Sequence, residues 1–112
     1  MKISKILISA TIVLVSSQAL AENWIVLGSM GQGTSFSVDK DSIRRGSDGL
    51  VRFTTNNSLL GKGDEAADCQ KRLTYAVGDH GHEYANWRDH GRAIKAGSIG
   101  EIDLQYVCAN SR

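Results

Sequence analysis

Two cysteines, Cys69 and Cys108, are the only thiols in this chain of 112 residues, and they lie 39 positions apart. In an oxidising compartment, a single pair of this kind indicates a disulfide bond. A catalytic or metal-binding role is the weaker interpretation, because the pair lacks the CxxC spacing. Closing a loop of about 40 residues stabilises a small domain by up to roughly 4 kcal/mol. The sequence therefore predicts a covalent bond between the middle of the chain and its end.

The first 21 residues indicate that the chain reaches such a compartment. A basic start with two lysines precedes an apolar run over residues 6–15, and Ala19-Leu20-Ala21 has the small residues of a cleavage site. This pattern is typical of a secretory signal peptide, and an apolar run of about 10 residues is too short to span a bilayer. We expect cleavage between Ala21 and Glu22, with no transmembrane segment and no lipid anchor. The mature protein, residues 22–112, is expected in the periplasm or outside the cell.

The mature chain is small and nearly neutral. Without the two lysines of the signal, 11 basic residues remain of 13, against 12 acidic residues, so the net charge is −1. Such a charge gives no field that attracts nucleic acid, and we expect no nucleic-acid partner. A single domain of this size buries only about 60–65% of its unfolded surface, which makes the disulfide important for stability.

Most of the mature chain has the pattern of short strands separated by glycine-rich turns. The run Trp24-Ile25-Val26-Leu27 and the alternating segment around Phe36 and Val38 are predicted to pair as a hairpin across a turn with three glycines. A third strand places Val51, Phe53 and Thr55 on one side. Residues 56–67 have the composition of a loop, in which Asp64 and Glu65 are interpreted as solvated charges rather than as an acid–base pair.

The second half of the chain holds the clearest strand and the least certain element. Residues 69–77 alternate as a half-buried strand, followed by a hairpin turn at Gly78-Asp79-His80-Gly81 and a returning strand over residues 84–87. In the last segment, Ser98 and Glu101 form a capping box that predicts a helix with a stripe of Ile99, Ile102 and Tyr106. The same segment also alternates as a strand, and the pattern alone favours neither.

The order and spacing of several short segments resemble a known family. These segments are Trp24-Ile25-Val26-Leu27-Gly28-Ser29, Asp41-Ser42-Ile43-Arg44, Asp68-Cys69, Ala96-Gly97-Ser98-Ile99-Gly100-Glu101 and Val107-Cys108. Together they resemble the surface-adhesin protein E family of exported bacterial proteins. The resemblance implies an α+β fold, in which an antiparallel sheet of about five or six strands packs against a C-terminal helix. It also implies that the bond between Cys69 and Cys108 ties this helix to a strand.

The three histidines of the chain lie in one segment, DHGHEYANWRDHG, at residues 79–91. In an extended backbone His80 and His82 project to the same side, and with His90 or a nearby carboxylate they form a candidate site for Zn²⁺, Cu²⁺ or haem iron. The alternative is a polar hairpin tip, because Gly81 makes the turn flexible and both cysteines are used elsewhere. Metal or haem binding by His80, His82 and His90 is therefore the second hypothesis, and no cofactor is the first.

The pattern predicts a binding protein rather than an enzyme. Ser98 lacks the Gly-x-Ser-x-Gly context of a nucleophile, and Trp24 and Trp87 are more typical of a core than of a ligand site. We expect an exported, adhesin-like interaction module that recognises a protein or a small ligand through its sheet face and loops. An exposed strand edge is also predicted to allow a homodimer. A hydrolytic enzyme is the least favoured alternative.

Overall fold

The computed structural model describes residues 22–29, 31 and 33–111, which form an antiparallel sheet and a C-terminal helix. The predicted signal peptide and its cleavage site lie outside the described residues. The strands are β1 (Trp24–Ser29), β2 (Ser35–Asp39), β3 (Arg44–Arg45), β4 (Val51–Asn57), β5 (Gly61–Asp68), β6 (Leu73–Asp79), β7 (His82–Glu83) and β8 (Arg92–Ala93), and the helix is α1 (Ile99–Ala109). Two 3-10 helices, Lys40–Ser42 and Trp87–Asp89, connect strands. The predicted α+β class is confirmed.

The sheet contains eight strands, which is more than the five or six predicted. Its main order is β1-β2-β4-β5-β6-β7, while β3 pairs with β4 and β8 pairs with β6. The difference comes from very short strands. β2 and β3 lie one after the other along the same side of β4, and β7 and β8 do the same along β6. Residues 24–27 and 35–38 pair as the predicted hairpin, with a register shift between Val26 and Gly28.

The prediction of a loop over residues 56–67 is wrong, because β5 is the longest strand of the sheet. Its sequence, GKGDEAAD, has poor strand propensity, yet every residue from Gly61 to Ala67 pairs with a residue of β4. β6 pairs with its other side. Strand propensity depends strongly on context, and a segment held between two good strands gains ladder hydrogen bonds that its composition does not predict. A turn at residues 58–60 is all that remains of the predicted loop.

Two other predicted boundaries also shift. The strand expected from Cys69 begins four residues later, at Leu73, because residues 69–72 turn between β5 and β6. The returning strand expected over residues 84–87 is instead β7, which is only two residues long, followed by the 3-10 helix that contains Trp87. The hairpin turn between β6 and β7 lies where it was predicted. His80 and Gly81 both have positive φ, which is the type I′ geometry of a two-residue hairpin loop.

The helix begins where the capping box predicts. The Ser98 side chain accepts a hydrogen bond from the Glu101 backbone N–H at 3.3 Å, and the Glu101 carboxylate accepts one from the Gly97 N–H at 3.1 Å. The buried stripe differs from the prediction, since Ile102 is 45% exposed and the buried residues are Asp103, Leu104 and Val107.

The disulfide explains how the helix is oriented. Cys108 is bonded to Cys69, with their Cα atoms 6.0 Å apart, at the turn that follows β5. Side chains three or four positions apart share a helix face, so holding Cys108 against the sheet also turns Leu104 inward. The predicted bond is confirmed, and it ties the last turns of α1 to the end of β5.

The helix and the sheet enclose the main core. Its buried residues are Val38, Ile43, Val51, Phe53, Ala67, Leu104 and Val107. A smaller cluster of Ala66, Val77 and Trp87 lies apart from it, with Leu50 and Tyr75 packed against it. Because side chains alternate along a strand, Phe53 and Ala67 contact the helix layer while Ala66 belongs to the other face. The sheet therefore has one face covered by α1 and another that is only partly covered.

Candidate functional site

The partly covered sheet face is organised around Trp87. The 3-10 helix carries this side chain onto Ala66 and Val77, where it is 4% exposed. Tyr75 meets the indole edge-on, with ring centroids 5.6 Å apart. The indole Nε1–H donates a hydrogen bond to the Glu83 carboxylate at 3.0 Å, so the polar atom of the buried ring has a partner. Trp87 is thus a buried residue at the centre of this face, which agrees with its interpretation as a core residue.

Two arginines from different elements lie over the Trp87 ring. The guanidinium carbon of Arg88 is 4.2 Å from the ring centroid, and that of Arg52, on β4, is 4.9 Å away. Both distances are within the range of cation–π attraction. We call Arg52, Trp87 and Arg88 the arginine–tryptophan patch. Since Arg88 is 58% exposed and Arg52 is 26% exposed, the patch presents positive charge to solvent next to a buried aromatic ring.

Asp48 supports this patch from the loop before β4. Its carboxylate accepts a hydrogen bond from Arg88 at 3.2 Å and one from the Leu50 backbone N–H at 3.1 Å. The Leu50 hydrogen bond is the main cause that lowers the pKa of Asp48, and the Arg88 hydrogen bond and the charges of Arg52 and Arg88 act in the same direction. Asp48 is therefore ionised at neutral pH and fixes the orientation of Arg88.

Arg52 is held less completely than Arg88. Its nearest carboxylate oxygens are those of Asp48 at 3.8 Å and Glu83 at 4.0 Å, which is beyond hydrogen-bonding distance. The Nε atom of Arg52 is buried and has no hydrogen-bond partner among the residues that the structure describes. A guanidinium group has five N–H donors in a planar fork that matches a carboxylate. Arg52 therefore offers an acceptor from outside the chain its terminal Nη atoms, whereas the buried Nε is not accessible to such a group.

A cleft of about 230 Å³ lies beside the patch. Five parts of the chain contribute to its walls, and the polar and charged residues among them are Ser42, Arg44, Arg52, Thr54, Asp64, Glu65 and Glu83. Arg44 is exposed, whereas Asp64 already accepts a hydrogen bond from the Thr54 hydroxyl at 3.3 Å. The cleft is mainly polar and includes the arginine whose Nε has no partner. Its charged lining is mixed, with Arg44 and Arg52 beside Asp64, Glu65 and Glu83, so only its arginine side suits an acidic group that approaches from solvent.

The histidines are close to this face but do not form a ligand set. His80 is the first residue of the β6–β7 turn, with its side chain 82% exposed and its Nε2 atom 3.3 Å from the Asp79 carboxylate. His82 is exposed in β7, and His90 follows the second 3-10 helix. In the part of the chain that the structure describes, no three residues of the types His, Cys, Asp and Glu come together to hold a metal ion. The structure supports the hairpin tip and leaves metal binding by these residues a prediction.

Both cysteines are confirmed in the disulfide, and no free thiol remains. Trp24 is only partly buried on the edge strand β1, where Lys62 Nζ lies 5.5 Å from its ring centroid. Within residues 22–29, 31 and 33–111, no helix combines the length and the apolar character needed to cross a membrane.

The sequence did not predict the arginine–tryptophan patch. Arg52 and Arg88 lie 36 positions apart, and neither belongs to a motif. Alternation along β4 places Arg52 on the face opposite to Phe53, but only the path of the chain after β7 brings Trp87 to that face. The sequence contains no local signal for the contact between β4 and the segment after β7, and only a prediction of long-range contacts could have found it.

Comparisons with known proteins do not supply a function. No family model, no curated protein and no solved structure matches the chain.

Proposed function

We propose that this protein is an exported, non-catalytic binding module that recognises an acidic segment of a partner protein through the arginine–tryptophan patch. This proposal keeps the adhesin-like role implied by the sequence resemblance and assigns it to one surface. The observation that carries it is Arg52, whose guanidinium lies over a buried tryptophan in the wall of a cleft, with the nearest carboxylate oxygens 3.8 and 4.0 Å from its Nη donors. A carboxylate from a partner satisfies these donors and adds a charge-assisted hydrogen bond.

The composition of the surface agrees with protein recognition. Arginine, tryptophan and tyrosine are the residue types enriched among those that dominate binding energy at protein interfaces. Here Tyr84, which is 52% exposed, lies near Trp87 in the sequence, and Arg88 is exposed beside the ring. The patch is attached to β4 and β6, so its geometry is set before binding and little ordering is required.

The first test compares two peptides that differ only in charge. The full chain, expressed with export and purified in its oxidised form, is titrated with a fluorescent peptide rich in Asp and Glu and with its Asn and Gln counterpart. We expect the acidic peptide to bind more tightly, and Arg52→Met to weaken it by about tenfold while retaining the aliphatic contact with Trp87. Arg72→Met is the matched control, because Arg72 pairs with Glu101 outside the patch.

The second test asks for the partner itself. Wild-type protein, Arg52→Met and Arg72→Met are used to capture proteins from a native envelope or host extract. The proposal expects a protein that is captured by the wild type and by Arg72→Met but lost with Arg52→Met. Equal binding of the two peptides, together with identical captured proteins for all three forms, would show that the patch takes no part in recognition.

A homodimer through a strand edge is a separate proposal about partners. β1 is at one end of the sheet, and Val26 on this strand is 65% exposed. The register shift between Val26 and Gly28 interrupts the edge, so we expect any self-association to be weak. Sedimentation at increasing protein concentration measures it directly.

A further inference from the structure

The face of the sheet that carries α1 contains a second cavity, which shares the lining residue Glu65 with the cleft beside Arg52. Its volume is about 320 Å³, and it opens between the first half of α1 and the strands β5 and β8. Apolar side chains from three elements line it, namely Phe36, Ile94 and Ile99. Two carboxylates, Glu65 of β5 and Asp103 of α1, line the same cavity. A small domain rarely places two acidic groups in its interior without a counterion.

Asp103 is the less satisfied of the two carboxylates. The residue is only 3% exposed, and its Oδ1 atom is buried without a hydrogen-bond partner. Glu65, by contrast, accepts a hydrogen bond from the Thr55 hydroxyl at 3.0 Å. A buried acceptor without a donor costs free energy, so a ligand that donates a hydrogen bond at this atom recovers part of that cost.

The charged groups around this cavity come from β5, β8, the segment after β8 and α1. Burial raises the pKa of Glu65, while the Thr55 hydrogen bond and then the charge of Arg92 on β8 act against this rise. Burial, followed by the charge of Glu65, raises the pKa of Asp103 to about 8. Lys95, which follows β8, also lines the cavity. The interior is therefore acidic, and two basic residues belong to its outer part.

We propose that this cavity binds a small primary monoamine, with its ammonium group between Glu65 and Asp103 and its hydrocarbon part against Phe36, Ile94 and Ile99. A primary ammonium has three N–H donors, which satisfy both carboxylates at once. The apolar wall favours an organic cation over a bare metal ion, which needs several oxygen ligands. Arg92 and Lys95 oppose a second positive charge, so a monoamine is preferred to a diamine.

The test uses three probes of similar size on the full oxidised chain. Isoamylamine carries the charge and the hydrocarbon, isoamyl alcohol lacks the charge, and cadaverine adds a second charge. Binding is followed by shifts of backbone amide resonances and by calorimetry. We expect saturable binding of isoamylamine, binding of cadaverine weaker by about threefold or more, and no saturable binding of the alcohol at about 10 mM.

Variants connect the binding to the two carboxylates. Glu65→Gln and Asp103→Asn are each expected to lower the affinity for isoamylamine by about tenfold. Asp89→Asn is the matched control, since it removes one exposed negative charge outside the cavity. If Glu65→Gln does not fold, Asp103→Asn alone decides the result, because an amide replaces a carboxyl group that is mostly protonated at neutral pH and the variant is expected to fold.

Proton release on amine binding distinguishes a ligand-binding role of the two carboxylates from a purely structural role, which would release no protons. Because the ammonium competes with a proton on Asp103, the affinity is expected to rise between about pH 6 and pH 8, and binding should release protons to the buffer. The proposal is overturned if isoamylamine does not bind, if the alcohol binds equally well, or if both carboxylate variants retain the wild-type affinity. Because Asp103 lines this cavity and not the cleft beside Arg52, Asp103→Asn distinguishes this proposal from the acidic partner proposed for the other face.

Discussion

Asp103 on α1 and Glu65 on β5 line one cavity between the helix and the sheet, and the negative charge of Glu65 adds to burial in raising the pKa of Asp103 to about 8. These residues are 38 positions apart in the sequence. Glu65 lies in a segment predicted as a loop, and Asp103 lies in a segment whose pattern fits either a helix or a strand. Their proximity makes the stability of the fold depend on pH in a defined direction.

The stability of the protein is expected to fall as the pH rises. In the unfolded chain the pKa of an aspartate is about 3.9, so the contribution of protonated Asp103 is fully present below about pH 4 and is lost as the pH passes through 8. Asp103→Asn removes this dependence, because an amide does not ionise. We expect the variant to exceed the wild type by several kcal/mol at about pH 9 and to match it near pH 4.

Urea denaturation across this pH range measures the free energy of unfolding of the wild type and of Asp103→Asn. The contributions of other titratable groups cancel in the difference between the two values. Asp89→Asn is the control and is expected to follow the wild type, since its side chain is exposed. Parallel stability curves for Asp103→Asn and the wild type would contradict the prediction.

The disulfide is expected to supply a large part of the stability. Replacing both Cys69 and Cys108 by serine should lower the free energy of unfolding by about 2–4 kcal/mol, because the unfolded chain regains the entropy of an open loop. Denaturation in urea, followed by circular dichroism, gives the value. Dithiothreitol should have the same effect on the wild type and none on the double variant. A double variant as stable as the oxidised wild type would refute this account of the bond.

Two glycines in neighbouring strands are expected to respond differently to alanine. A Cβ atom at Gly78 would collide with the carbonyl oxygen of His82 and would lie 2.9 Å from Glu83 Cα, so Gly78→Ala should force β7 away from β6 and cost about 1–3 kcal/mol. At Gly63 the nearest atoms are 3.9 Å away, and Gly63→Ala should change the stability by less than about 1 kcal/mol. Thermal unfolding of both variants checks the contrast, and equal losses would show that the hairpin adapts to the added carbon.

The exposed histidines are expected to bind metal weakly or not at all. His80 and His82 flank Gly81 at the hairpin tip, and a site with fewer than three fixed ligands holds Zn²⁺ poorly. Calorimetric titration with Zn²⁺, Cu²⁺ and haem should therefore give the same result for the wild type and for the variant with His80→Ala and His82→Ala. Tight binding that disappears in this variant would establish the carrier function instead.

Some of the fold could be predicted because its signals are local. The alternation of Val51, Phe53 and Thr55 predicts the strand and its buried side, and all three are buried. Ser98 and Glu101 predict the start of α1, since capping involves only neighbouring residues. The candidate site was not predictable in the same way. Trp87 was expected in a core, but nothing near Arg52 in the sequence indicates that this arginine lies over that ring.

The family resemblance implied the class of the fold and its C-terminal helix, and the sequence by itself determined the hairpin turn at His80-Gly81, the capping box at Ser98 and the pairing of the two cysteines. These follow from backbone preferences, short-range hydrogen bonds and the small number of thiols. Only the tertiary structure decided that β5 is a strand and that Glu65 lines the cavity beside Asp103. The reason is physical, because strand pairing and helix orientation depend on contacts between distant segments. In this protein, the bond between Cys69 and Cys108 is the contact that turns the inner face of α1 towards the sheet.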